Sequence, residues 1–182
     1  MSNSIVPYHC AVIGGGLSGL CLAIQLAKQG HRVVVFEKNK YPFHKVCGEY
    51  VSNESFGFLV RLGLKLDEWN LPQINNIGIS SEKGFMFNAR LGLGGFGISR
   101  YKLDNELLLL AKEHGVNVMD HTKVINVEGN TVFTNKGNYQ ARVCVGAFGK
   151  TNPVFAQEEI LRPSSNYIGV KYHLHLTKIS NM

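Results

Sequence analysis

A chain of 182 residues, 45% hydrophobic and 18% charged, has the size and composition of one ordinary globular domain with a buried core. The formal net charge of +6 is carried by no run of Lys or Arg, and basic residues are not interleaved with aromatic ones, which argues against a nucleic-acid platform. The densest basic group, Lys38, Lys40 and Lys45 with His44, suits either a solvated surface or attraction to an anionic cofactor. Tyr8 to Ile13 is a short apolar run that predicts a strand. It lacks a charged preceding region and is followed at once by three glycines, so it reads as neither a signal peptide nor a membrane span, and a cytoplasmic protein is expected.

Leu17, Leu20, Ile24 and Ala27 recur at helical spacing, and Gly30 stands where such a helix would end. Val33 to Phe36 is a second short strand. Neither strand alternates polar with apolar residues, as expected for parallel strands covered on both faces. Residues 38–50 form a polar loop, and a short helix is predicted over about Asn53 to Leu62. Ile74 to Ser99 has strand character. A stronger helix follows, with Leu103, Leu107, Leu110 and Ala111 facing inward, and then a strand from Val116 to Met119. Short strands at Lys123 to Val127, Thr131 to Thr134 and Asn138 to Gln140 make a meander, with turns at Gly129-Asn130 and Lys136-Gly137. Ala141 to Val145 returns as a buried strand.

Between the first strand and the first helix the chain reads Gly14-Gly15-Gly16-Leu17-Ser18-Gly19, a G-x-G-x-x-G in Gly14, Gly16 and Gly19. In this setting the first glycine permits the turn, the second admits a pyrophosphate close to the backbone, and the third lets helix and strands pack closely. The N–H groups of Leu17, Ser18 and Gly19 and the positive end of the helix would face the phosphates. Glu37 ends the second strand, about 20 residues on, where a carboxylate accepts from a ribose diol. It would repel a 2′-phosphate, so NADP is not expected here; FAD and NAD both remain. None of the four cysteines, Cys10, Cys21, Cys47 and Cys144, forms a metal-binding spacing, and no metal is expected. Cys10, Cys21 and Cys144 lie in apolar runs and are expected to be buried; Cys47 lies in the polar loop.

Four stretches together resemble a known family. They are the fingerprint with Glu37; Lys45-Val46-Cys47-Gly48-Glu49, similar to a K/R-x-C-G-E motif; Ser99-Arg100-Tyr101-Lys102-Leu103-Asp104, similar to R-x-x-L-D at a helix start; and Gly146-Ala147-Phe148-Gly149-Lys150, similar to G-A-D-G-x. The set resembles the FAD-dependent group of aromatic-ring monooxygenases, flavin halogenases and geranylgeranyl reductases, the C-G-E stretch leaning to the last. The resemblance implies an α/β fold: a Rossmann-like FAD-binding domain of glutathione-reductase type, with an inserted β-meander and the start of a β-sheet substrate domain. Residues 1–72 and 100–160 would form the FAD-binding core, and 73–99 and 161–182 part of the substrate sheet, with Asn166 to Leu174 as its opening strand. It implies FAD as cofactor, NAD(P)H as a candidate electron donor, and a small apolar organic substrate such as a prenyl or polyketide chain. It implies no nucleic-acid partner, and leaves membrane-surface contact and oligomeric state open.

The resemblance also assigns residues. Lys45 would lie near the cofactor phosphates or ribose, Lys38 would be a further cofactor-binding residue, Gly48 and Glu49 would shape the loop beside the flavin, and Arg100 would contact FAD. Val124 would meet the adenine through its backbone, and Gly146, Ala147 and Gly149 would line the cofactor. Cys47 would approach the isoalloxazine, the one candidate for a part in the chemistry. The plain alternatives are surface charge for Lys45, an ion pair with Asp104 for Arg100, and loop packing for Cys47. Two departures stand out: Phe148 replaces an Asp linked in relatives to pyridine-nucleotide handling, and no Asp follows a glycine, so the family's later G-D motif is missing from this sequence. A shortened, non-catalytic nucleotide-binding fragment is the competing reading. His114, His121, His173 and His175 are expected to be surface residues.

Overall fold

The computed structural model describes residues 7–149 and 169–172. Expectations for Lys150, for Asn166 to Ile168, and for His173 to Leu174 and His175 lie outside these residues. The protein has an α/β Rossmann-like fold. A six-stranded sheet has the order β6-β2-β1-β9-β8-β7, and a separate three-stranded antiparallel sheet has the order β3-β5-β4. The strands are β1 (Tyr8–Ile13), β2 (Val33–Phe36), β3 (Tyr50–Ser52), β4 (Gln73–Ser80), β5 (Met86–Gly97), β6 (Asn117–Met119), β7 (Val124–Glu128), β8 (Thr131–Thr134) and β9 (Gly137–Gly146); the helices are α1 (Leu17–Lys28), α2 (Phe56–Leu62) and α3 (Arg100–Glu113).

The apolar parts of β1 and β2 pair in parallel, Cys10 with Val33 through Ile13 with Phe36. All four β2 residues are buried, as the lack of alternation requires. β6 extends the sheet on one side of β2 and β9 on the far side of β1, both parallel. The order β6-β2-β1-β9 puts the carboxyl ends of β1, β2 and β9 together, at the edge where nucleotide-binding sheets hold their ligands. Alternate residues face two cores. Cys10, Val12, Val33 and Val35 pack under α1 and α3 with Leu20, Ile24, Leu103 and Leu107. Ala11, Ile13, Val34 and Phe36 pack on the other side with Val124, Val132 and Ala141 of the meander. Gly30 follows α1 at φ 82 and donates to Ala27 O at 2.9 Å, the expected helix stop.

Four expectations change. The strands predicted at Asn138 to Gln140 and Ala141 to Val145 are one strand, β9: its first part pairs antiparallel with β8 and its second part parallel with β1. Nothing in Tyr139-Gln140-Ala141-Arg142 breaks extended backbone, so one strand serves both sheets. Second, Cys144 is only half-buried and Val143 is 56% exposed. Val143 lies on the helix side of the sheet, where α1 packs mainly on β1 and β2 and α3 on β6, while Cys144 lies on the opposite, meander side, where the second core covers it only in part. Third, the loop after Glu37 ends in a strand, β3, whose Tyr50 to Ser52 pair with Gly95 to Gly97 of β5. The β4–β5 hairpin fills the stretch read as strand-like. Fourth, Gly169 to Tyr172, expected within the opening strand of the substrate sheet, form no strand. No helix among the described residues is long and apolar enough to cross a membrane.

Candidate functional site

The glycine fingerprint closes the gap between β1 and α1 in the way its spacing requires. Gly14 has φ 111, which side chains avoid, and a Cβ there would lie 2.4 Å from Ala147 O. Gly19 faces the turn so closely that a Cβ would lie 2.0 Å from Gly14 O. Gly16 differs: its φ is an ordinary −80, and a Cβ would meet only Lys45 Nζ, at 3.5 Å. The space beside Gly16 is therefore open, as close approach by a ligand demands. No side chain caps α1 and no acidic residue stands in its first turn, so the positive end of the helix is left unneutralised.

These backbone groups form one wall of a cavity of about 510 Å³ lined by Gly14, Gly16, Leu17 and Ser18 from the turn, Glu37 from β2, Lys45 and Val46 from the loop, Arg100 from α3, and Ala147, Phe148 and Gly149 after β9. Each element delivers its residue from the same sheet edge. Ala147 N donates to Ile13 O at 2.7 Å and Gly14 N to Phe36 O at 2.8 Å, which locks the three strand ends together.

Glu37 is 6% exposed. Its Oε2 accepts the Gly15 N–H at 3.0 Å, and its Oε1 accepts the N–H and the side-chain amide of Asn39, both at 2.9 Å. An ionised carboxylate has about four acceptor positions. Three bonds fix the glycine turn and the β2 exit and leave capacity for a sugar hydroxyl. Tyr41, which sequence reasoning missed, holds the other side of Gly15: its hydroxyl donates to Gly15 O, and it is buried. Burial, reinforced by the nearby charges of Glu37 and Asp104, pushes its phenol well above the usual range and keeps it a donor. Neither Tyr41 nor Asn39 belongs to a motif; only their nearness to Glu37 in sequence could have flagged them.

The cationic side is built around Asp104, whose side chain is 3% exposed. Its carboxylate receives Arg100 through Nε at 2.8 Å and a second guanidinium nitrogen at 3.0 Å, and Lys45 Nζ at 3.0 Å. The ion pair considered for Arg100 is thus made, and Arg100 also lines the cavity. Burial opposes the Arg100 charge, but the hydrogen-bonded Asp104 carboxylate and neighbouring Cys47 outweigh it and push its pKa up. Lys45 also lies over the Phe43 ring, 4.7 Å from its centroid.

Other expected residues stand further off. Cys47 is half-buried and does not line the cavity; its sulfur accepts the Glu49 N–H at 3.4 Å and lies beside Arg100, a charge not apparent in the sequence. Glu49, at φ 59, pairs with Lys171 rather than facing the cavity. Gly48 has open space around it and Lys38 is exposed, and neither lines the cavity. Val124 is buried in the meander core. Gly146 supports Phe148, whose ring would lie 2.6 Å from a Gly146 Cβ, while Phe148 itself is part of the cavity wall. Among the described residues no cluster of His, Cys, Asp and Glu could hold a metal ion.

Residues 12–65 match the family described as NAD(P)-binding Rossmann-like domain. Hispidin-3-hydroxylase of Neonothopanus nambi is 26% identical over 182 residues, 88% of this chain and 43% of that protein. Conditioned medium factor receptor 1 of Dictyostelium discoideum is 28% identical over 169 residues, 78% of this chain and 33% of that protein. Among solved structures, the myxobacterial chondrochloren halogenase CndH, described as a variant of FAD-dependent halogenases, superimposes with a TM-score of 0.69 at 25% identity over 81% of this chain and 38% of its own. The chain therefore spans less than half the length of these relatives.

Proposed function

We propose that this chain is the flavin-binding part of an FAD-dependent oxidoreductase. One observation carries the reading: the uncapped start of α1, the open flank of Gly16, the Glu37 carboxylate and the Arg100 and Lys45 cations converge on one cavity. The donors fit an adenine dinucleotide. Backbone N–H groups of the Gly16–Gly19 turn would hold the diphosphate, Arg100 and Lys45 would balance its charge, and Glu37 would accept from the ribose. Among dinucleotides, the likeness to an FAD-dependent halogenase and to a hydroxylase favours FAD over NAD. FAD when bound supplies two-electron redox chemistry; the protein supplies position, charge and exclusion of water.

In finer terms, the reaction would be reduction or hydroxylation of a small apolar organic molecule. Lys45-Val46-Cys47-Gly48-Glu49 supports the reductase branch, and the hydroxylase relative supports oxygenation. NAD(P)H would be the electron donor, met outside this cavity, since Glu37 disfavours a 2′-phosphate inside it. The test is direct. Purified full chain should be yellow or become so on addition of FAD, with FAD rather than FMN released on denaturation. Protein that stays colourless with FAD refutes the reading, and uptake of NAD without flavin replaces it with a dehydrogenase.

A further inference from the structure

The R-x-x-L-D stretch draws attention to its arginine, yet the group at the centre of the cationic wall is the aspartate. Asp104 is 2% exposed and lies on the inward face of α3 with Leu103, Leu107 and Leu108. A carboxylate so placed is costly unless paired, and it is paired twice: with Arg100 on its own helix and with Lys45 from the loop after β2. Both cations line the cavity, and Lys45 Nζ lies 3.5 Å from where a Gly16 Cβ would stand. One buried anion therefore sets the position of two cations on the cavity wall, one of them beside the glycine turn. The two-point grip on the guanidinium fixes its plane, and the single contact to Lys45 spans two separate elements.

We propose that Asp104 is a positioning residue for the diphosphate of the cofactor, acting through Arg100 and Lys45 without touching the ligand. The proposal rests on the cavity being a dinucleotide site. Its sign is diagnostic. By charge alone, deleting a carboxylate near an anion site should tighten anion binding. If Asp104 works by holding the cations in place, deleting it should weaken binding, because both side chains must then be ordered by the ligand itself.

The experiment measures dissociation constants of the full chain for FAD, ADP and adenosine by fluorescence and calorimetry, with thermal melting alongside. Asp104→Asn should weaken FAD and ADP by roughly tenfold to a hundredfold, the range over which groups that orient ligating side chains act. Adenosine, which lacks phosphates, should change little. In a Lys45→Met, Arg100→Gln background the same substitution should add no further loss, because its effect passes through those two residues. Asp104→Glu keeps the charge but displaces it, and should show a smaller loss with the same ADP-over-adenosine pattern; it carries the test if Asp104→Asn does not fold. Unchanged or tighter ADP binding in a folded Asp104 variant overturns the proposal, as does an equal loss for adenosine. Wild-type protein that binds neither FAD nor ADP overturns the dinucleotide reading first, and this one with it.

Discussion

Gly16 and Gly19 belong to the same motif, yet the structure separates their roles, and alanine at each should fail in opposite ways. At Gly16 the backbone is extended and the added methyl meets only the Lys45 ammonium, at an ordinary contact distance of 3.5 Å. Loss of glycine at the N-cap costs up to about 1 kcal/mol, and the stiffer unfolded chain returns about 0.4–1 kcal/mol. Gly16→Ala should therefore melt close to wild type. Its methyl, however, would occupy the space through which the proposed diphosphate would reach the N–H groups, and each charge-assisted bond lost is worth about 1.5–3 kcal/mol, or roughly 10- to 100-fold in affinity. At Gly19 the methyl would lie 2.0 Å from a backbone carbonyl that cannot rotate away. Alanine gains about 1 kcal/mol of helix propensity, but overpacking of this severity costs about 3 kcal/mol. The net loss of about 2 kcal/mol lowers Tm by about 4–8 °C for a chain of this size. Flavin fluorescence titration and differential scanning calorimetry on both variants separate the effects. A Gly16→Ala protein that keeps full FAD affinity, or that melts as early as Gly19→Ala, refutes the assignment of the open flank to the ligand.

Tyr41→Phe removes the donor to Gly15 O and should cost about 1–3 kcal/mol by leaving a buried carbonyl unpaired, with looser FAD binding; denaturant melts and flavin titration check both. Burial raises the Cys21 thiol from 9.0 to about 11. Its folded pKa thus exceeds the unfolded one, so the protection it gives is complete below pH 9 and is lost as pH rises toward 11. Urea melts at pH 8 and pH 10.5 should show a smaller alkaline drop for Cys21→Ala than for wild type. The β4–β5 hairpin pairs Ile79 with Phe87 and leaves them 56% and 53% exposed. Phe87→Lys should therefore reduce self-association of the isolated chain in analytical ultracentrifugation.

What could be read from the sequence was local. The runs at β1 and β2, the helical spacing of Leu17 to Ala27 and the fingerprint each depend on neighbours within one turn or one strand, and the fold places them as their patterns demand. The ion pair of Arg100 with Asp104 was visible for the same reason, being one helical turn apart. What stayed hidden depends on distant chain. The second partner of Asp104 comes from another element, Glu49 finds Lys171 far along the chain, and the pinning of Gly15 by Tyr41 needs the loop to fold back. Exposure at Val143 was missed because an apolar run tells which residues prefer cover, not which helices reach them.

β9 has one further consequence. Because it runs unbroken from the meander into the parallel sheet and ends at the Gly146-Ala147 turn, the meander cannot peel away without disturbing the sheet edge that walls the cavity. Slow-exchanging amides should therefore form a continuous band from Val132 through Ala141 to Val145, opening as one cooperative unit. A ligand held at the far end would tighten that band along its whole length, and the hairpin of β7 and β8 would register occupancy that it never touches.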